Sequence, residues 1–183
     1  MSAQTLNNFS LISRLFGNLF YRAPNDEILA GVFAWLQQKG LEQVWALDVD
    51  KHSQAAIESL QMPIATDALQ AEYEFLFAGE DSVSCRISDY GINVDEFIAF
   101  RHERGMPVVE SADNFGLVFL TASWIEDNLE STEAQRHLFE VFLLPCANKF
   151  LAKVENRARL PFYRALALLS REILAAMADE LDE

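Results

Sequence analysis

Cysteine is nearly absent from this chain. Cys85 and Cys146 are its only two, and they lie far apart with no C-x-x-C pair. A disulfide framework needs more, and a zinc site would need helpers. Two reduced thiols in the cytoplasm are the simplest account. Glycine and proline are scarce too, with 7 and 5 residues in 183, so long helical stretches can run uninterrupted. Basic residues are few. Lys plus Arg is 14 against 28 Asp plus Glu, a formal net charge of −14. A surface this acidic repels phosphate backbones and anionic lipid, which argues against nucleic acid as a partner and leaves a cationic peptide or basic protein patch. The alternative is that the charge serves only solubility. No positive charge precedes Arg14 and no apolar run opens the chain, so the N-terminus does not read as a secretory signal. The longest apolar run, Val141 to Ala147, is too short to cross a bilayer, so no stable membrane insertion is expected.

Hydrophobic residues are abundant, at 51% with 14 Phe and 3 Trp, which is ample for one packed domain. They recur at helical spacing. Phe9, Ile12, Leu15, Phe16, Leu19 and Phe20 form one face of a helix over 8–21 that ends before Pro24. Asn25 or Asp26 can cap a second helix, which stops near Gly40. A short helix over 51–60 follows. Thr66 or Asp67 then caps a helix through Leu69, Tyr73, Leu76 and Phe77. Residues 78–92 hold Gly79, Asp81, Ser82, Ser84, Ser88, Asp89 and Gly91, the residues of a long irregular segment. Asn93 caps a helix closed by Gly105 and Pro107, and Ser111 starts another. Ser131 or Thr132 opens a long helix to about Arg157, with a kink expected at Pro145. A last helix runs from about Leu160 to Leu181. No segment alternates cleanly, so no strand is expected. The fold class is all-α: one irregular helical globule of eight or more helices.

Catalytic signatures are missing. His52, His102 and His137 fall in no metal-ligand spacing and read as surface helix residues. There is no G-x-x-x-x-G-K-[ST], G-x-G-x-x-G or G-x-S-x-G. Cys146 follows Pro145 on an apolar helix face, where a thiol is buried and inert. The chain therefore reads as a non-enzyme with no cofactor. Two patterns stand out as recognition elements. Tyr73, Leu76 and Phe77 form an aromatic and aliphatic stripe that is either core or a groove for an apolar peptide. Glu110 and Asp113 flank Ser111 near a helix start, where the helix dipole favours carboxylates. The same pair could instead grip a guanidinium, whose fork matches carboxylate geometry.

The order of these pieces resembles the TorD/DmsD family of cytoplasmic maturation chaperones for molybdoenzymes, related to NarJ. The resemblance spans nearly the whole chain. It includes Leu15-Phe16-x-x-Leu19-Phe20-Tyr21-x-x-Pro24, the Tyr73-x-x-Leu76-Phe77 stripe, the loop with Ser88 and Tyr90, and Glu110-x-x-Asp113. It also includes Leu143-Leu144-Pro145 and Pro161-Phe162-Tyr163-Arg164-Ala165-Leu166. The resemblance implies an N-terminal part over 1–109 and a C-terminal part over 110–183, joined at a hinge near 107–114 within one compact unit. It implies binding of a twin-arginine leader, or of the apoenzyme, until the cofactor is inserted. The peptide-binding residues it implies are Tyr73, Leu76, Phe77, Ser88, Tyr90, Glu110, Asp113 and Asn114. Asn114 departs from the family's usual histidine and cannot titrate. The prolines usual beside the serine are replaced by Ser84-Cys85-Arg86-Ile87, in which Arg86 could oppose a basic leader. These departures motivate an alternative, a branch that assists a different metalloenzyme through a folded-protein interface. The chain is expected to be a monomer or a segment-exchanged dimer.

Overall fold

The computed structural model describes residues 3–45, 47–129 and 131–182. The structure is all-α, with no strand among the described residues. Helix α1 (Ala3–Tyr21) buries Phe9, Ile12, Phe16, Leu19 and Phe20, the stripe that its spacing predicts. Asp26 caps the turn that follows, accepting the Ile28 N–H at 2.9 Å, and α2 spans Ala30–Gln37. The helix ends at Gln37, close to the stop expected near Gly40, but the chain does not leave helix there. Lys39 takes the left-handed conformation and Gly40 opens a further helix, α3 (Gly40–Val44). The reason is proximity rather than φ. A Cβ on Gly40 would sit 2.2 Å from the Trp35 indole, so only glycine lets the two segments touch.

Asp50 caps α4 (Lys51–Gln61) through the Ser53 N–H at 2.8 Å. Helix α5 (Thr66–Phe77) is capped by neither Thr66 nor Asp67, because Ala65 holds the N-cap position without a side-chain bond. Residues 78–86 are irregular, followed by a 3-10 turn at Ile87–Tyr90. Asn93 caps α6 (Val94–Glu103) by accepting the Glu96 N–H, and Gly105 ends the segment at φ +77°.

Ser111 does not start the next helix. Helix α7 spans Phe115–Asn128, and Asn114 is its cap, accepting the Gly116 N–H at 2.7 Å. Ser131 caps α8 (Thr132–His137) as expected. The disturbance expected at Pro145 takes the form of a π turn, Leu138–Leu143, placed before α9 (Leu144–Arg157). Widening the helix ahead of the proline accommodates its ring and its missing N–H. Helix α10 (Pro161–Leu181) closes the chain.

Helix α7 is the centre of the globule. It packs along α1, and Phe115, Val118, Phe119, Ala122 and Ile125 are all buried. The approach is close because both helices offer glycine. A Cβ on Gly116 would lie 2.6 Å from the Tyr21 nitrogen and 2.8 Å from the Gly17 carbonyl oxygen. Polar groups register the pair: the Ser123 hydroxyl donates to the Ser10 carbonyl at 2.9 Å, and Ser10 donates to Asp127 at 2.5 Å. Helix α10 packs against α4 and α9. Residues on both sides of the 107–114 segment therefore share one core.

Candidate functional site

The stripe on α5 divides on folding. Leu76 turns fully into the core, and its carbonyl accepts the Val83 N–H at 2.6 Å. It presents no surface to a ligand. Tyr73 and Phe77 remain half-buried, with ring centroids 5.2 Å apart. They rest on a platform from the C-terminal helices. Phe77 stacks on Phe150 of α9 at 6.1 Å and meets Tyr163 of α10 edge-on at 5.7 Å. Tyr73 lies 6.4 Å from the Tyr163 ring.

Phe150 also joins this stripe to the irregular segment. Tyr90 meets its ring at 6.3 Å and Phe115 at 4.4 Å. The Tyr90 hydroxyl donates to the Ser84 carbonyl at 2.6 Å, and burial pushes that hydroxyl's pKa up to about 12. The Lys153 ammonium sits 5.1 Å from the Tyr90 ring centroid.

Ser88, exposed on the same turn, binds Asp113. Its backbone N–H donates to the Asp113 carboxylate at 2.9 Å and its hydroxyl at 2.5 Å. Two residues after Asp113 the Phe115 N–H donates to the Cys85 carbonyl at 2.8 Å. Asp113 thus clasps a loop 25 residues upstream instead of serving the α7 dipole, and Asn114 takes the capping role. Arg86 lies between two carboxylates, 3.5 Å from Asp89 and 3.9 Å from Asp113. The Ser84 hydroxyl, with Arg86 beside it, holds the Asp89 carboxyl below the usual range. Glu110 is exposed, and among the described residues its carboxylate has no partner.

Tyr73 and Phe77 therefore connect, through the buried rings of Phe150 and Tyr90, to the turn on which Ser88 holds Asp113 beside Asn114, so Tyr90, expected at the surface of a peptide site, supports it from within. Leu76 lies beneath this aromatic strip. Nothing in it is poised for covalent chemistry. Burial pushes both Cys85 and Cys146 to about 12, so neither thiol ionises near neutrality. What reaches the surface is the edges of Tyr73 and Phe77 on one side and the carboxylates of Asp113 and Glu110 on the other, a combination suited to a chain bearing both apolar and cationic groups.

No family model matches the chain. Individual proteins do. An uncharacterized protein of Haemophilus influenzae (strain ATCC 51907 / DSM 11121 / KW20 / Rd) is 64% identical across the whole of both chains. The chaperone protein YcdY of Escherichia coli (strain K12) is 36% identical over 97% of this chain and 98% of its own. A probable Tat proofreading chaperone DmsD of the same Haemophilus strain is 26% identical over 93% and 90%.

The chain belongs to the TorD/DmsD family of chaperones. The YcdY and DmsD relatives are named as chaperones rather than enzymes, and this chain is likewise a chaperone and not an enzyme. Among the described residues of this TorD/DmsD protein, no helix is long and apolar enough to cross a membrane.

Sequence reasoning about the site missed Phe150 and Tyr163 as the platform, although both carry helical-face signals. It also missed the setting of Phe75. Arg157 and Arg159 lie over its ring at 4.2 and 3.6 Å, and the Arg157 Nε–H donates to its carbonyl at 3.3 Å. The spacing Arg-x-Arg at 157–159 was the available clue, but nothing local names its partner.

Proposed function

We propose that this chaperone binds the twin-arginine leader, or the apo form, of a molybdenum-containing oxidoreductase in the cytoplasm and assists cofactor insertion before export. The reading rests on one adjacency. The exposed edges of Tyr73 and Phe77 are linked through Phe150 and Tyr90 to the turn that holds Asp113. A leader carries an apolar stretch and a pair of arginines. The aromatic edges would take the first by burying apolar area at about 25 cal/mol per Å². Glu110 and Asp113 would take the second through charge-assisted hydrogen bonds. Asp113 already accepts from Ser88 and faces Arg86, so an incoming guanidinium must replace existing partners there. Glu110 is the open carboxylate and makes the first contact.

The test is titration of the purified protein with the twin-arginine leaders encoded by its source organism. Binding should weaken with salt. Glu110→Ala should reduce affinity several-fold, and Asp113→Ala should do so after correction for its effect on the loop. Equal binding by both variants, or no binding to any leader, overturns the proposal.

A second reading is a branch that serves a different metalloenzyme through a folded-protein interface. The motivating observation is the pattern of likeness: 36% to a relative named only as a chaperone, 26% to one named for Tat proofreading. The internal engagement of Asp113 points the same way. Affinity capture with mass spectrometry separates the readings. Recovery of a molybdoenzyme precursor rejects the second.

A further inference from the structure

A second concavity lies outside the aromatic strip, between α6 and the extended segment that follows it. It has a volume of about 270 Å³ and is lined by Ile98, Arg101, Met106, Pro107, Val108 and Val109 among others. Its rim is apolar and open. Val108 is 94% exposed, and Ile98 beside it is 46% exposed.

Its wall carries a buried positive charge. Arg101 is only 9% exposed. One Nη donates to Thr121 Oγ1 at 2.5 Å and the other to the Pro107 carbonyl at 3.0 Å, and the guanidinium lies 6.0 Å from the Phe97 ring centroid. All its protein partners are neutral. Among the described residues no carboxylate pairs with it, although the chain has 28 of them. A guanidinium carries five N–H donors. Among the described residues the Nε–H and one N–H on each Nη have no acceptor. A buried cation without a counter-ion is costly, and a carboxylate brought to it offsets part of that cost through charge-assisted hydrogen bonds. The neighbouring Arg104 differs, since it pairs with Glu103 at 3.8 Å and stacks on Phe100 at 3.8 Å. Glu103 is thereby engaged, and the exposed Glu110 acts through water and is screened.

We propose that this groove docks an apolar segment of a partner protein that carries an acidic side chain, with its aliphatic groups against Ile98 and Val108 and its carboxylate on Arg101. The charge preference is opposite to that of a twin-arginine leader. The groove is therefore a separate contact, and its occupancy does not depend on the leader reading.

Fluorescence anisotropy with two labelled probes tests it: an acetylated, amidated peptide Leu-Glu-Phe-Leu and its twin with Gln in place of Glu. The Glu probe should bind at least tenfold tighter. Val108→Asp should weaken it by tenfold or more without altering the melting temperature, because that side chain is exposed. Arg101→Lys should bring the Glu probe toward the Gln probe by removing the fork. If that variant fails to fold, the Val108 variant and the probe pair still decide. Amide NMR shifts should cluster on residues 98–109. Equal affinity of the two probes, no binding of either at millimolar concentration, unchanged binding to Val108→Asp, or preference for an Arg-bearing probe overturns the proposal.

Discussion

Replacing Glu72 with alanine should destabilise the whole globule and loosen the aromatic platform in particular. Glu72 sits on α5 with only 1% exposure, one residue before Tyr73. Its carboxylate accepts the Leu160 N–H at 2.5 Å and the Arg159 N–H at 3.3 Å. These are the last donors before α10, whose own N-cap residue, Leu160, makes no side-chain cap bond. Glu72 thus does from another helix what a capping-box glutamate does from within one. Hydrogen bonds to a charged group contribute about 1.5–3 kcal/mol each. Rehydration of the freed donors and relief of the buried carboxylate return part of that, leaving a net loss of about 2–3 kcal/mol. For a domain of this size each kcal/mol moves the melting temperature by about 2–4 °C. The Glu72→Ala variant should therefore melt roughly 4–12 °C lower by circular dichroism or calorimetry. Glu72→Gln, which keeps one acceptor, should lose about half as much. The ion pair to Arg159 is a minor part, because that side chain is 57% exposed. Arg159→Ala should shift melting by no more than about a quarter of the alanine effect at 72. A Glu72→Ala protein melting within 1 °C of the parent would refute the capping argument. Equal shifts from the two alanine variants would show that the ion pair, not the backbone bonds, holds α10.

Gly116→Ala should lose about 1–3 kcal/mol to overpacking against the Tyr21 and Gly17 backbone, partly offset by about 1 kcal/mol of helix propensity, whereas Gly31→Ala, with open space at its Cβ, should gain up to about 1 kcal/mol; urea titration distinguishes the signs. Cys146, fully buried, should resist DTNB at pH 8 until denaturant is added, and the partly buried Cys85, whose thiol pKa is likewise pushed up to about 12, should react slowly; prompt labelling of Cys146 in the native state would contradict its burial. The Asp89 carboxyl is held below the ordinary aspartate value of 3.8, so its contact with Ser84 contributes above the unfolded pKa and disappears as pH falls through the depressed one. Carbon-detected NMR titration should show that lowered midpoint, and Ser84→Ala should raise it; an unmoved midpoint would remove Ser84 as the cause.

The helices were largely legible because their signals are local. Apolar spacing marked the buried face of α1, and Asp26, Asn93 and Ser131 announced the elements they cap. Reading failed where a local signal had a distant competitor. Ser111 and Asn114 are both good caps on composition. The tie was broken by Ser88, which draws Asp113 upstream and leaves Asn114 at the head of α7. Gly40 looked like a helix stop because nothing nearby in sequence reveals that Trp35 will lie against it.

Composition, periodicity and motif order were enough for an all-α fold of the chaperone family and for a set of candidate recognition residues. They could not say which member of the α5 stripe faces inward. Tyr73, Leu76 and Phe77 share one helical face, and only the arrival of Phe150, Tyr163 and the Val83 strand of loop sorted Leu76 into the core and left the two rings at the edge. The same holds for Arg101, one more charge on a helix until tertiary packing withdrew it from water without giving it a carboxylate. Propensity and capping act over a few neighbouring residues. Burial and pairing depend on which distant faces meet, and that information exists only once the chain has folded.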